Sequence, residues 1–217
     1  MSFPFKEMIE ILQSKFKDNV PVVTRISKKE NRNPYLVLIG TLISLRTKDE
    51  LTEKVMDRII KNIKTPEEMV SFPDEKLQEM IYPVGFYRNK TVILKDVSKT
   101  IINDYGGKVP DSIDELLKIK GVGRKTANLV MTEGYNKLGI CVDTHVHRIS
   151  NRIGILSTKK PDETEKILRK ILPEKYWIIY NTLLVTFGKN ICKPISPHCS
   201  TCPIQHLCSK SGVLKHR

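Results

Sequence analysis

The sequence of 217 residues has no apolar run long enough to span a bilayer. Its longest apolar stretch, residues 36–43, is interrupted by Gly40 and Thr41. The first residues also lack a charged segment followed by an apolar run, which is the pattern of a secretory signal. We therefore expect a cytoplasmic protein that makes no contact with a membrane.

Alternating patterns of polar and apolar residues, which predict strands, are absent. Apolar residues instead recur at helical spacing over residues 51–63, 91–102 and 163–172. Thr65-Pro66-Glu67-Glu68 predicts a helix start with a capping box, and Ser112 with Glu115 predicts a second box. The sequence therefore predicts an all-α protein.

Acidic residues are missing from long parts of the chain. None occurs between Glu115 and Glu133 or after Lys175, and Asp143 is the one carboxylate between Glu133 and Asp162. The whole chain has 37 Lys and Arg against 24 Asp and Glu, a formal net charge of +13. A Lys-rich surface that merely confers solubility is one interpretation. The uneven distribution favours a polyanionic partner whose phosphates face the acid-free segments.

Glycines divide two helical patterns within one acid-free segment. Gly121-Val122-Gly123 separates residues 112–119 from residues 124–135. Glycine can take a positive φ and present backbone N–H groups to an oxygen atom, and the next helix adds its positive N-terminal dipole. A similar order, Pro83-Val84-Gly85 before residues 88–91, occurs upstream. The first hairpin predicts a contact with nucleic acid, and the second is explained as well by a plain helix connection.

Four of the five cysteines lie within residues 192–208, at Cys192, Cys199, Cys202 and Cys208. In a reducing compartment, clustered cysteines are more often metal ligands than disulfides. Their spacing fits either zinc or an iron–sulphur cluster. The fifth, Cys141, lies in an apolar run and is interpreted as a core residue.

Three motifs in this order resemble the helix-hairpin-helix DNA glycosylases, and specifically the endonuclease III family. They are residues 121–127, Val142-Asp143-Thr144-His145, and the pattern Cys-x6-Cys-x2-Cys-x5-Cys. The resemblance implies an all-α fold of two helical domains that flank a DNA-binding cleft. It places a six-helix barrel domain at 23–137, with the helix-hairpin-helix at about 112–135, and an iron–sulphur domain at 1–22 plus 138–217. It also implies a [4Fe–4S] cluster on the four cysteines.

Lys125 stands where bifunctional members of the family place the nucleophilic lysine. A helix N-terminus, neighbouring Arg124 and burial in a cleft would all disfavour the ammonium form, and only the neutral amine attacks. The resemblance implies attack on C1′ of the damaged nucleotide, a Schiff base and β-elimination. Without the family pattern, Lys125 would be interpreted as a phosphate-binding lysine.

Asp143 follows the apolar run Ile140-Cys141-Val142. Its carboxylate could stabilise the oxocarbenium-like charge that develops as the base leaves, and could assist proton transfer. It could also cap the helix that begins near Thr144, and both roles are compatible. The resemblance assigns Lys125 and Asp143 as the catalytic residues.

Residues 42–49 align with the family segment that fills the gap left by a flipped nucleotide. Relatives usually carry Gln where this chain has Leu45 or Arg46, so either residue could enter the gap. Leu45 in the core with Arg46 on a phosphate is the alternative. Thr41 stands where the adenine-removing branch has a catalytic Glu, which disfavours adenine excision. The predicted DNA contacts are Leu45, Arg46, Lys120, Gly121, Val122, Gly123, Arg124, His145 and Lys193, with Arg148 a further plausible phosphate contact.

The sequence thus predicts a bifunctional DNA glycosylase and AP lyase of base excision repair that removes oxidised or damaged pyrimidines. Its partner would be double-stranded DNA with damaged bases or abasic sites. We expect a monomer, associated with the nucleoid in a prokaryote. The alternatives are a uracil or thymine mismatch glycosylase without lyase activity and a non-catalytic DNA-binding module. Lys125 argues against the first, and Lys125 with Asp143 argues against the second.

Overall fold

A computed structural model describes residues 3–17 and 20–217. The predicted domain segment 1–22 therefore includes four residues outside the described part, Met1, Ser2, Asp18 and Asn19. Within the described residues the chain is helical and has no strand. The predicted all-α fold is confirmed.

The helices follow one another through short connections. In chain order they are α1 (Phe5–Lys15), α2 (Val22–Lys29), α3 (Pro34–Ser44), α4 (Asp49–Asn62), α5 (Pro66–Ser71), α6 (Asp74–Ile81), α7 (Tyr87–Tyr105), α8 (Ile113–Lys118), α9 (Arg124–Leu129), α10 (Thr144–Ile153), α11 (Pro161–Ile171) and α12 (Trp177–Asn190). A π-helical turn, Val130–Gly134, continues α9, and two 3₁₀ turns lie at Glu174–Tyr176 and Gln205–Leu207. None of the described helices is both long enough and apolar enough to cross a membrane.

The chain divides into two compact units. One comprises residues 22–137, here called the hairpin unit, and the other comprises residues 1–21 with 138–217, here called the cysteine unit. Each has its own hydrophobic core. Their assignment as a six-helix barrel domain and an iron–sulphur domain stays a prediction.

Helix α3 lies at the centre of the hairpin unit. Asn33 begins it, because its side chain accepts hydrogen bonds from the backbone N–H groups of Tyr35 (3.0 Å) and Leu36 (3.2 Å). All nine residues from Tyr35 to Ile43 are buried. A helix that is apolar on every side is stable only inside a core. Helices α2, α4, α7 and α9 pack around it.

One of the two predicted capping boxes forms. Thr65 Oγ1 accepts from Glu68 N (3.2 Å), and Glu68 Oε2 accepts from Thr65 N (3.1 Å). The box predicted at Ser112 is wrong, because the Ser112 side chain makes no capping hydrogen bond. Glu115 instead accepts hydrogen bonds from Lys118 Nζ (2.6 Å) and from the Tyr105 hydroxyl (3.2 Å).

Candidate DNA-binding site and iron–sulphur centre

The glycine hairpin connects α8 to α9 in the hairpin unit. Gly121 has a φ of +97°, and Val122 N donates to Ile119 O (3.0 Å) to close the turn. A Cβ on Gly121 would lie 3.2 Å from Ile93 Cγ2 of α7, so both its conformation and its packing favour glycine. Gly123 differs from the expectation of positive φ: it is extended, with φ −93° and ψ 172°, and precedes the first residue of α9.

The predicted residues of this hairpin differ in exposure. Lys120 and Arg124 are exposed, whereas the Val122 side chain is buried in the core. Val122 can therefore offer only its backbone to DNA. Lys125, the predicted nucleophile, is the second residue of α9 and is half-buried. The first turn of a helix has unpaired N–H groups and a partial positive charge, which suits an anionic phosphate.

The turn between α3 and α4 carries the predicted gap-filling residues. Leu45 directly follows α3 and is 36% exposed, so it does not belong to the buried core. Arg46 is exposed and takes a left-handed backbone, with φ +56°. Thr47 N donates to Ser44 O (3.1 Å) across the turn. The turn therefore presents an apolar and a cationic side chain next to each other.

Asp143 caps α10 in the cysteine unit. Its Oδ1 accepts from His145 N and Val146 N, both at 2.9 Å. The predicted cap is therefore present, and the carboxylate is half-buried and fixed in place. The second carboxylate oxygen has no role in these two bonds. A capping carboxylate can thus serve a second purpose without giving up its position.

Arg148, also on α10, is turned towards the chain rather than towards solvent. Its Nη2 donates to Cys192 O (2.9 Å) and lies 3.2 Å from His145 Nδ1. The role of Arg148 as a phosphate contact stays a prediction, and its guanidinium also binds the backbone carbonyl of the first clustered cysteine. Burial lowers the pKa of Arg148. The predicted DNA contact His145 is half-buried and held by this arginine.

The four clustered cysteines line one cavity in the cysteine unit. Two N–H groups point at their sulphurs: Arg152 Nη1 lies 3.4 Å from Cys192 Sγ, and Lys210 N lies 3.3 Å from Cys208 Sγ. Burial, with the other three sulphurs, raises the pKa of the Cys202 thiol to about 11. A positively charged metal centre among the four sulphurs would stabilise the deprotonated thiolates that ligate it.

The cavity fits an iron–sulphur cluster. Within the described residues, no three His, Cys, Asp or Glu side chains are close enough to ligate a single metal ion, whereas the four thiols line one shared cavity. His198 also lines it, and the buried Nε2 of that ring has no hydrogen-bond partner in the described part of the chain. A cluster offers acceptors for such N–H groups, and hydrogen bonds to its sulphurs are usual.

The segment 193–198 between the first two cysteines is fixed by Arg152 of α10. This arginine is buried, and it donates to Lys193 O (2.7 Å) and Pro194 O (3.1 Å). Lys193, a predicted DNA contact, is half-buried. In the sequence, Arg152 is only one of several basic residues between Glu133 and Asp162, a segment predicted to face phosphates. Its spacing of four residues from Arg148 on α10 is the one signal that both face the cysteine segment.

Comparison with known proteins agrees with this fold and with the cysteine segment. Residues 39–174 match the model of the HhH-GPD superfamily of base excision DNA repair proteins, and residues 192–208 match the iron–sulphur binding domain of endonuclease III. A helical protein with a glycine hairpin and this cysteine segment is therefore a helix-hairpin-helix DNA repair protein that carries a [4Fe–4S] cluster.

Relatives narrow the class further. The chain is 46% identical to endonuclease III of Thermotoga maritima, over 81% of this chain and 83% of that protein. It is 40% identical to endonuclease III of Bacillus subtilis, over 84% of this chain and 87% of that protein. A solved structure of a non-covalent endonuclease III–DNA complex matches with a TM-score of 0.83 at 35% identity, covering 94% of both chains. The chain belongs to the endonuclease III family of DNA glycosylases with AP lyase activity.

Proposed function

We propose that this chain excises oxidised or ring-damaged pyrimidines from duplex DNA and then nicks the strand by β-elimination. The observation that carries the proposal is Lys125 at the start of α9, directly after the glycine hairpin, in a chain of the endonuclease III family. Family membership supports the glycosylase and lyase class, and Lys125 supports the covalent route. We further propose that the protein acts as a monomer.

The reaction begins with the neutral Lys125 amine attacking C1′ of the damaged nucleotide. The bond from C1′ to the base breaks, and the base leaves with the bonding electron pair and takes up a proton. Opening of the sugar ring gives a protonated imine between Lys125 and C1′. Loss of a proton from C2′ then expels the phosphate from C3′, which cleaves the strand, and water releases the lysine from the imine.

Asp143 stabilises the positive charge that develops on the sugar as the base leaves. Its support is the cap of α10, which holds the carboxylate in one orientation without neutralising it. Preorganised charge of this kind costs no rearrangement during the reaction. The iron–sulphur cluster contributes architecture, because Cys192 adjoins the segment 193–198 that carries Lys193.

Leu45 and Arg46 set the response to the base opposite the lesion. An exposed apolar side chain can enter the base stack, and the guanidinium of Arg46 can donate to the orphaned base. Support for this role is that Leu45 and Arg46 are both exposed and that Arg46 has a left-handed backbone. A cation in place of the usual amide favours an orphaned base that offers acceptors, such as guanine.

Borohydride trapping tests the covalent route. The protein is incubated with duplexes that contain thymine glycol, uracil opposite guanine, thymine opposite guanine or an abasic site. We expect excision of thymine glycol and a trapped adduct that Lys125→Ala abolishes. Lys120→Ala is the matched control, since it removes an exposed lysine beside the hairpin and should weaken binding while the adduct still forms. Base excision without any adduct would replace this proposal with the hydrolytic mismatch glycosylase.

Asp143→Asn tests the carboxylate separately from the cap. Asn caps helices as well as Asp, so α10 should remain intact and the melting temperature should change little. Single-turnover excision should fall by roughly 100-fold or more if the charge acts in the transition state. Full excision by this variant would reduce Asp143 to a cap.

A further inference from the structure

Lys90 places its charged group inside the hairpin unit. It lies in the first turn of α7, and the residue is 9% exposed. Its Nζ donates to three backbone carbonyls, those of Leu42 (2.8 Å), Ile43 (3.2 Å) and Leu45 (2.9 Å). An ammonium group has three protons, so these three acceptors satisfy it completely. Burial lowers its pKa, as expected for a cation removed from water.

The three acceptors are the carbonyls at the end of α3. The last carbonyls of a helix have no partner within the helix and carry partial negative charge. Lys90 therefore acts as a C-terminal cap contributed by another helix. Lys90 belongs to the upstream segment Arg88-Asn89-Lys90-Thr91, which resembles residues 124–126 after the glycine hairpin. The two segments differ in role, because Lys90 binds protein carbonyls.

The carbonyl of Leu45 is the important one of the three. Directly after it the chain turns through the left-handed Arg46, a conformation that is strained for a residue with a side chain. Thr47 Oγ1 also donates to Leu45 O (3.3 Å). The Leu45 carbonyl is therefore held from inside the unit, while the side chains of Leu45 and Arg46 stay exposed.

We infer that Lys90 is a positioning residue that fixes the turn 45–47 in the form needed to fill the gap left by a flipped nucleotide. The inference rests on the proposed function. Side chains that fill this gap stabilise the flipped nucleotide. The conformational entropy lost in ordering them on binding reduces that stabilisation. Lys90 reduces this entropy loss, because it already fixes the backbone of Leu45 and Arg46 before DNA binds.

The chain offers a matched control on the same helix. Lys95 of α7 also has a largely buried side chain, and its Nζ donates to Phe72 O (2.5 Å) and Val70 O (3.3 Å) at the end of α5. Lys90→Met and Lys95→Met therefore both replace a lysine that caps a neighbouring helix. They differ in that Lys95 also pairs with the carboxylate of Asp74, whereas Lys90 alone binds the turn 45–47.

The test compares single-turnover excision from two duplexes by the wild-type protein and both variants. One duplex has thymine glycol opposite adenine, and the other has thymine glycol opposite an abasic position, where the lesion is unpaired and flipping costs less. We expect Lys90→Met to slow excision by more than about tenfold on the paired duplex and by less than about threefold on the unpaired one. Lys95→Met should leave the ratio of the two rates at the wild-type value.

Two further outcomes decide the matter. Lys90→Arg retains a buried cation with several N–H donors and should recover most of the paired-duplex rate, which guards against a Met variant that simply folds poorly. Equal losses on both duplexes, or no loss on either, would overturn the inference and leave Lys90 a structural cap. Failure of the wild-type protein to excise from either duplex would instead refute the proposed function on which the inference rests.

Discussion

Gly188 on α12 occupies a position where no side chain fits. A Cβ there would collide with His145 Nδ1 and would lie 2.9 Å from Arg148 Nη2 and 3.0 Å from Ile149 Cδ1. The close approach of α12 to α10 lets Arg148 reach Cys192 O. A missing side chain on one helix thus permits the contact that joins the Asp143 helix to the cysteine segment.

Gly188→Ala should destabilise the cysteine unit. Alanine is normally the better helix residue, but overpacking a filled position costs about 1–3 kcal/mol and outweighs that gain. We expect a lower melting temperature and weaker retention of the iron–sulphur absorption on heating. Gly85→Ala is the control, because a Cβ there meets no atom within 4 Å. Equal stability of the two variants would show that the contact between α10 and α12 can adjust to an added Cβ.

Glu133 is a carboxyl group within the core of the hairpin unit. It is 5% exposed, and its Oε1 accepts from Thr24 Oγ1 (2.9 Å). Burial raises its pKa, against the opposing effects of Arg32 and Lys28. The folded state therefore holds this proton more tightly than the unfolded chain, whose carboxyl has an ordinary pKa near 4.5.

The Glu133 contribution to stability is present below the unfolded pKa and is lost as the pH rises through the higher folded pKa. Glu133→Gln should remove this pH dependence and should gain stability relative to the wild type as the pH rises from 4.5 to 7. Denaturant unfolding at several pH values measures the difference. Glu115→Gln is a control of opposite sign, since Lys118 lowers the pKa of that carboxyl. A difference that does not vary with pH would contradict the argument.

Helix starts in this chain depend on caps of unequal strength. Thr65 forms a reciprocal capping box with Glu68 at α5, whereas Ser112 at α8 makes no side-chain cap. The two sequences look alike, but the carboxylate of Glu115 is engaged by Lys118 and Tyr105. A capping pattern is therefore stabilising only where no stronger partner competes for its carboxylate.

Thr65→Ala should lower the free energy of unfolding by about 1 kcal/mol, the usual contribution of an N-cap side chain. Ser112→Ala should change it by less than about 0.5 kcal/mol, the range of ordinary surface substitutions. Denaturant titration of both variants provides the comparison. A similar loss for both would indicate that Ser112 caps α8 in solution.

Sequence patterns predicted the amphipathic helices well and the central one poorly. Helices α4, α7 and α11 have one apolar face, so their spacing is visible in the sequence. Helix α3 is buried on every side and leaves no periodic signal. The cap of Asp143 follows from a local rule. The inward turn of Arg148, Arg152 and Lys90 depends on tertiary contacts, and a basic residue carries no sign of which way it will face.

The net charge of +13 attracts DNA as a whole, but only phosphate contacts release counterions from defined positions. Segment 193–198, which carries Lys193, is held in place from within the cysteine unit. Arg152 binds its carbonyls, and Cys192 at its edge belongs to the iron–sulphur centre. Lys193 is thus a cation on a backbone that is fixed before DNA arrives. Lys170, in the last turn of α11, carries the same charge at an exposed position.

Lys193→Gln and Lys170→Gln remove equal charge and so separate a local contact from net attraction. If Lys193 binds a phosphate, its loss should reduce the slope of log K against log salt concentration by about 0.9, the value for one contact on duplex DNA. Lys170→Gln should shift affinity slightly and leave the slope unchanged, because long-range attraction is screened within about 10 Å at moderate salt. Fluorescence anisotropy on a duplex with an uncleavable abasic analogue gives both slopes. Identical slopes for the two variants would mean that segment 193–198 does not contact the DNA backbone. The hydrogen bonds from Arg152 would then serve the iron–sulphur centre alone.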